Sequence, residues 1–152
     1  GTELRILNRV SGERLIPLKL ELEMCEAHLR VMSRRRNETF RLVSEGVEEE
    51  IEIPPALFLT LMENGFTHMT EQVGSADFRL NVEMRAWGYR FTFEAPGGRH
   101  EPPRSEGTGL RYARARLDEC FHGRWEMTTG AQGNIWRTVI EISGELTRGE
   151  SS

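Results

Sequence analysis

Between residues 78 and 93 the chain alternates with a period of two, and no other stretch limits the possible fold as much. Phe78, Leu80, Val82 and Met84 are apolar, while Arg79, Asn81, Glu83 and Arg85 are polar. Successive strand side chains point to opposite faces, so this pattern specifies a strand with one buried and one wetted side. Tyr89, Phe91 and Phe93 continue the alternation beyond Gly88, which predicts a hairpin with a short turn around that glycine. A sheet with one polar face must cover the other with helices. The 152 residues, 38% of them hydrophobic, support one domain with an ordinary core; two would be cramped.

The covering helices are legible as a second periodicity. Leu18, Leu22, Cys25, Leu29 and Met32 recur at helical spacing after Pro17, predicting a helix over 17–36 with one apolar stripe. Arg34 to Arg36 close it and complement its C-terminal dipole. Short strands are expected at 40–43 and 47–53 around Gly46, the second running into Pro54-Pro55, which suits the first turn of another helix. Residues 95–106 hold Pro96, Gly97, Gly98, Pro102 and Pro103 without periodicity and read as a mobile loop. Leu110, Ala113, Leu117 and Phe121 define a third helix. A last strand pair, 125–129 and 135–142, turns around Gly130 to Gly133. The order predicts an α+β fold: a two-layer α/β sandwich whose mixed, mostly antiparallel sheet carries helices on one face.

Charge and cysteine usage narrow the class. With 20 basic and 24 acidic residues the net charge is −4, which argues against nucleic acid as a partner. Cys25 and Cys120 lack CxxC spacing and fall at apolar positions of helical patterns, so they read as reduced core thiols of a cytoplasmic protein. No apolar run approaches a membrane span, and no signal-peptide pattern opens the chain.

Two clusters suggest chemistry. On the second helix, Asn64 and His68 are four apart and share a face, with Glu63 at its edge. A carboxylate, an amide and an imidazole are therefore expected to converge. Further on, Gly107-Thr108-Gly109-Leu110 opens the third helix. Glycines there allow close backbone approach, and free N–H groups at a helix N-terminus favour a phosphate. Together the clusters predict a Mg-nucleotide site, since Mg²⁺ prefers oxygen ligands and bridges phosphates.

The same segments resemble a known family. Pro17-Leu18-Lys19-Leu20-Glu21-Leu22-Glu23 resembles a PLxxELE start, and Ile53-Pro54-Pro55-Ala56-Leu57 an IPP-type lead into the next helix. Glu63-Asn64-Gly65-Phe66-Thr67-His68 resembles the N-box ENAxKH, and Gly107 to Leu110 with Arg116-Leu117 resembles GxGLxNxxxRL. Over about 15–142 the chain is thus similar to the ATP-binding catalytic domain of sensor histidine kinases, in the GHKL branch shared with gyrase and MutL, and most closely to the LytS-like kinases. The resemblance implies a Bergerat ATP-binding fold and transfer of the ATP γ-phosphoryl group to a histidine. It implies that Asn64 binds Mg²⁺, that Glu63 acts as or supports the base, and that His68 touches phosphate. Gly97, Gly98, Gly107, Thr108, Gly109 and Leu110 would contact the nucleotide. Thr138 either lines the adenine pocket or pairs within the sheet, and His68 can alternatively pair with the last helix carbonyls. Arg99, His100 and Arg104 read as phosphate contacts or as a solvated loop.

The departures are specific. Ala95 stands where the family carries an Asp or Asn that recognises the base, Tyr112 where it has Asn, and Thr67 where it has Lys. Glu94 could substitute for that acid only if the strand shifted by one residue. None of His28, His68, His100 or His122 sits in an HFLFN-type acceptor segment, and His28 is expected to pack on the first helix. The acceptor is therefore expected in an upstream dimerisation domain, of which residues 1–14 form the end or a remnant, with residues 143–152 a polar tail. The partners implied are that domain, a response regulator and a second copy of the parent, itself anchored in a membrane that this domain does not touch. Two further readings are a degenerate nucleotide-binding module without transferase activity and a stand-alone kinase of anti-sigma-factor type.

Overall fold

The computed structural model describes residues 14–69, 72–97 and 107–144. A five-stranded sheet runs in the order β2 (Thr39–Glu45), β4 (Ser75–Arg85), β5 (Gly88–Pro96), β7 (Ile135–Ser143), β6 (Trp125–Gln132). β2 and β4 are parallel and the other pairs antiparallel. Two short strands, β1 (Ile16–Pro17) and β3 (Glu52–Ile53), form a separate antiparallel pair. Three helices, α1 (Leu18–Arg36), α2 (Leu57–His68) and α3 (Thr108–Phe121), supply the apolar stripes of the core.

The period-two pattern decides which face they cover. Phe78, Leu80, Val82, Phe91, Phe93 and Ala95 are buried, and β7 adds Trp136, Thr138, Ile140 and Ile142. Against them pack Leu22, Cys25 and Leu29 of α1, Phe58, Leu61, Met62 and Phe66 of α2, and Leu110, Ala113, Leu117 and Phe121 of α3. Phenylalanines knit the layers: Phe66 meets Phe40 and Phe78 at 5.1 Å, and Phe58 meets Phe91 at 5.6 Å, within the range of favourable ring pairs. The opposite face carries ion pairs across strands, including Arg90–Glu141 at 2.8 Å and Arg137–Glu94 at 2.6 Å.

Several boundaries differ from the sequence reading. Only Glu52–Ile53 of the expected 47–53 strand is extended, because its partner is β1 beside α1 rather than the large sheet. The helix after Pro54-Pro55 begins at Leu57, with Ala56 left-handed at φ 69°. The β4–β5 hairpin turns at Ala86-Trp87, Gly88 already pairing with Arg85, and the β6–β7 hairpin turns at Gly133-Asn134. Ala95 and Pro96, assigned to the loop, complete β5 against Trp136 and Ile135. Gly98, Arg99, His100 and Arg104 lie outside the described residues.

Candidate functional site

Helix α2 carries Glu63, Asn64 and His68, and its position depends on a residue far upstream in sequence. No side chain of its own caps its first turn. Instead the Glu21 carboxylate, fully buried on α1, accepts from the backbone N–H groups of Ala56 at 2.9 Å and of Phe58 and Leu59 at 3.0 Å. Leu57 N–H donates to Pro54 and Thr60 N–H to Ala56, so every amide of that turn is satisfied. Burial raises the Glu21 carboxyl above its ordinary value, against the lowering effect of the three amide bonds. The same desolvation, with the nearby charges of Glu21 and Glu26, pushes up the Cys25 thiol, which is fully buried.

The faces of α2 then separate. Gly65 lies against β5, where a β-carbon at residue 65 would stand 2.5 Å from that of Ala95. On the α1 side, Glu63 Oε2 lies 2.7 Å from His28 Nε2, close enough for an ion pair though not aligned as a hydrogen bond. The His28 ring also meets Phe66 edge-on, so it packs as expected and in addition meets Glu63. Thr67 is turned back, its hydroxyl donating to the Glu63 carbonyl.

Thr60, Asn64 and His68 form the third stripe, spaced four residues apart. At one end, Thr60 Cγ2 lies 3.4 Å from the point a β-carbon at Gly109 would occupy, which brings the start of α3 against α2. At the other, the His68 imidazole stacks on the Trp136 indole with centroids 4.3 Å apart and planes 13° from parallel. Asn64 lies between, and its Nδ2 is buried with no hydrogen-bond partner among the described residues. An orphaned buried donor costs about 1–3 kcal/mol, which a ligand oxygen would offset.

Among the described residues nothing caps the start of α3. Gly107 precedes the helix in an extended conformation, and the first turn holds no acidic residue. Gly107 and Thr108 are exposed, whereas Leu110 is buried and anchors the turn. The amides and helix dipole there are suited to an anion.

No protein-family model and no curated protein matches the sequence. Solved structures do. The histidine kinase AdeS of Acinetobacter baumannii aligns with a TM-score of 0.64 over 93% of this chain and 75% of its own, at 14% identity. The nucleotide-free catalytic domain of histidine kinase ThkA aligns at 0.59 over 88% and 97%, also at 14% identity. The histidine kinase domain of a blue-light activated kinase from Erythrobacter litoralis aligns at 0.57 over 84% and 61%, at 17% identity. The chain has the fold of histidine kinase catalytic domains.

Within this kinase-type fold the N-box residues do not all converge. Asn64 and His68 share one stripe, but Glu63 turns to α1 and His28, a partner that sequence spacing could not reveal because it lies on another helix. Gly97 follows β5, with the Met69 backbone 3.2 Å from where its β-carbon would be. Thr138 is buried and shares a 3.1 Å hydrogen bond with Thr129 across β6–β7, so it pairs within the sheet. Ala95 is on the helix-facing side, while Glu94 is on the other face and bonded to Arg137, so β5 has not shifted. Among the described residues no group of three or more His, Cys, Asp or Glu could hold a metal. A Mg²⁺ held mainly by phosphates and water needs no such group, and the one amide of Asn64 fits that donor set.

Proposed function

We propose that the chain is the ATP-binding catalytic domain of a LytS-like sensor histidine kinase, passing the γ-phosphoryl group to a histidine outside these 152 residues. The observation that carries this reading is Asn64, whose Nδ2 is buried without a hydrogen-bond partner among the described residues, on the α2 stripe between the start of α3 and His68. The phosphates would lie at the amides of Gly107 to Leu110, with Asn64 donating Nδ2–H to a phosphate oxygen and offering its carbonyl oxygen to Mg²⁺. Bound Mg²⁺ would neutralise charge developing on the phosphates. Glu63, with 58% of its side chain exposed, would accept the acceptor imidazole's proton, and His28 would hold that carboxylate in place. Histidine kinase ThkA, solved in complex with the response regulator TrrA and sharing this fold, supports a response regulator as the downstream partner. A dimeric, membrane-anchored parent with this domain in the cytoplasm belongs to the same proposal. No helix among the described residues is long and apolar enough to cross a membrane.

Calorimetric titration with Mg-ATP tests the reading: the wild type binds, and Asn64→Ala weakens binding with Mg²⁺ present by about tenfold or more while the fold persists. Equal affinity in the two proteins would remove Asn64 from the site. One observation favours a second reading, a regulatory module without phosphoryl transfer. Ala95, buried on the helix-facing side of β5 against Gly65, presents a methyl group where the resemblance implies a base-reading acid or amide. Absence of Mg-ATP binding by the intact chain would select it.

A further inference from the structure

We propose that helix α1 pairs with α1 of a second copy of this chain, antiparallel about a twofold axis, through an apolar stripe on the face turned away from its own core. A helix packed on a sheet ordinarily carries charge opposite its buried side. On α1 the buried side is Leu18, Leu22, Cys25 and Leu29, and at helical spacing the opposite side presents Leu20, Met24, Ala27 and Val31. All four are exposed, Leu20 at 46%, Met24 at 39% and Val31 at 47%. Single apolar residues on a surface are ordinary, but these recur at the four-three-four spacing of a coiled-coil seam. The described ion pairs of α1 leave that seam free: Lys19 reaches Glu49 on one flank and His28 reaches Glu63 on the other.

Charge selects the occupant and its direction. The exposed side of the first half of α1 holds Glu23 and Glu26, and that of the second half Arg30, Arg34 and Arg35. A parallel copy would set like charge beside like. An antiparallel copy, with the axis crossing midway between residues 25 and 26, sets Leu20 against Val31 of the second copy and Met24 against its Ala27, and twofold symmetry repeats each contact. The same register brings Glu23 beside Arg30 of the second copy, also twice, and neither residue has an ion-pair partner among the described residues of its own chain. Leu20 to Val31 spans about 16 Å of helix, so the contact is at the small end of specific interfaces, and the free chain should pair with a Kd on the order of 10–100 µM. In a dimeric parent the linked copies reach effective concentrations of about a millimolar, which fills such a contact. The inference does not depend on the nucleotide reading.

Sedimentation equilibrium of the intact chain at low salt, from about 5 to 500 µM, tests this, and a reversible monomer–dimer equilibrium is expected. Met24→Glu, which puts a charge in the seam, should weaken it by about tenfold or more. Glu23→Arg alone, or Arg30→Glu alone, sets like charges together twice and should also weaken it by about tenfold or more. An equimolar mixture of those two single variants restores both opposite-charge pairs, so it should dimerise about as well as the wild type. All three substitutions are on the exposed side of α1, and an unchanged thermal transition checks that each variant is folded. A wild type that stays monomeric at about 500 µM would overturn the proposal, since its Kd would then lie well above the expected range. A dimer indifferent to Met24→Glu would lie on another surface and overturn it too, and a mixture no tighter than its components would refute the antiparallel register. A monomer whose thermal midpoint falls with Met24→Glu would assign the stripe to another segment of the same copy, again against the proposal.

Discussion

Replacing Glu21 with alanine should destabilise the fold more than any exposed site-residue substitution, because one carboxylate serves three amides. Its removal leaves the N–H groups of Ala56, Phe58 and Leu59 without an acceptor. Phe58 is fully buried, so its amide cannot recruit water and costs about 2–3 kcal/mol; the other two, partly open, cost about 0.5–1 kcal/mol each. The side-chain void adds about 1 kcal/mol, and relief of the desolvated carboxylate returns a similar amount. The net is ~3–5 kcal/mol, a large share of the about 5–15 kcal/mol that holds a domain folded. Urea unfolding followed by circular dichroism should show the midpoint falling by roughly 1.5–2.5 M at an m-value near 2 kcal/mol/M. Glu21→Gln can keep its oxygen on Phe58 and Leu59 while turning an amide toward Ala56, and should cost only about 1–2 kcal/mol. A loss below about 1 kcal/mol for Glu21→Ala, or equal losses for alanine and glutamine, would refute the reasoning.

The second buried carboxylate behaves oppositely with pH. Glu38 is desolvated, which raises its pKa, but the N–H groups of Val73 at 2.6 Å and Gly74 at 2.9 Å and the guanidinium of Arg36 outweigh that and hold it below 4.5. Its contribution is present above the unfolded value and lost as pH falls through the folded one, so the cost of Glu38→Gln should shrink in acid, as unfolding from pH 7 to 3 will show. For Glu21, whose pKa is raised, the contribution is complete below 4.5 and declines as pH rises through the folded value, so the Glu21→Gln penalty should be largest in acid. Gly65→Ala gains about 1 kcal/mol of helix propensity but drives its β-carbon to 2.5 Å from that of Ala95, so it should destabilise by a net ~1–2 kcal/mol. Adding Ala95→Gly should recover much of the loss in thermal melts; additive effects would show that the two positions do not touch. Ala56→Gly relieves a left-handed alanine and should raise stability by about 0.5–1 kcal/mol, read from the same urea transitions.

The element order was legible because periodicity is a local signal. The alternation of Phe78 to Phe93 placed β4 and β5 and named their buried face, and the stripes from Leu18 to Leu29 and from Leu110 to Phe121 placed α1 and α3. Asn64 and His68 could be assigned to one helical face for the same reason. Pairing decided the rest. Residues 47–51 are not strand because no neighbouring strand offers them hydrogen bonds, and β3 survives only where β1 reaches it. Glu63 parts from Asn64 because His28 approaches from α1, and Ala95 matters because Gly65 and Trp136 meet it from α2 and β7. Glu21 shows the division most clearly. Sequence placed it on α1 among its charged neighbours, and only tertiary packing turned it into the cap of α2, because an unsatisfied helix terminus accepts any carboxylate that the fold brings within reach, however distant in the chain.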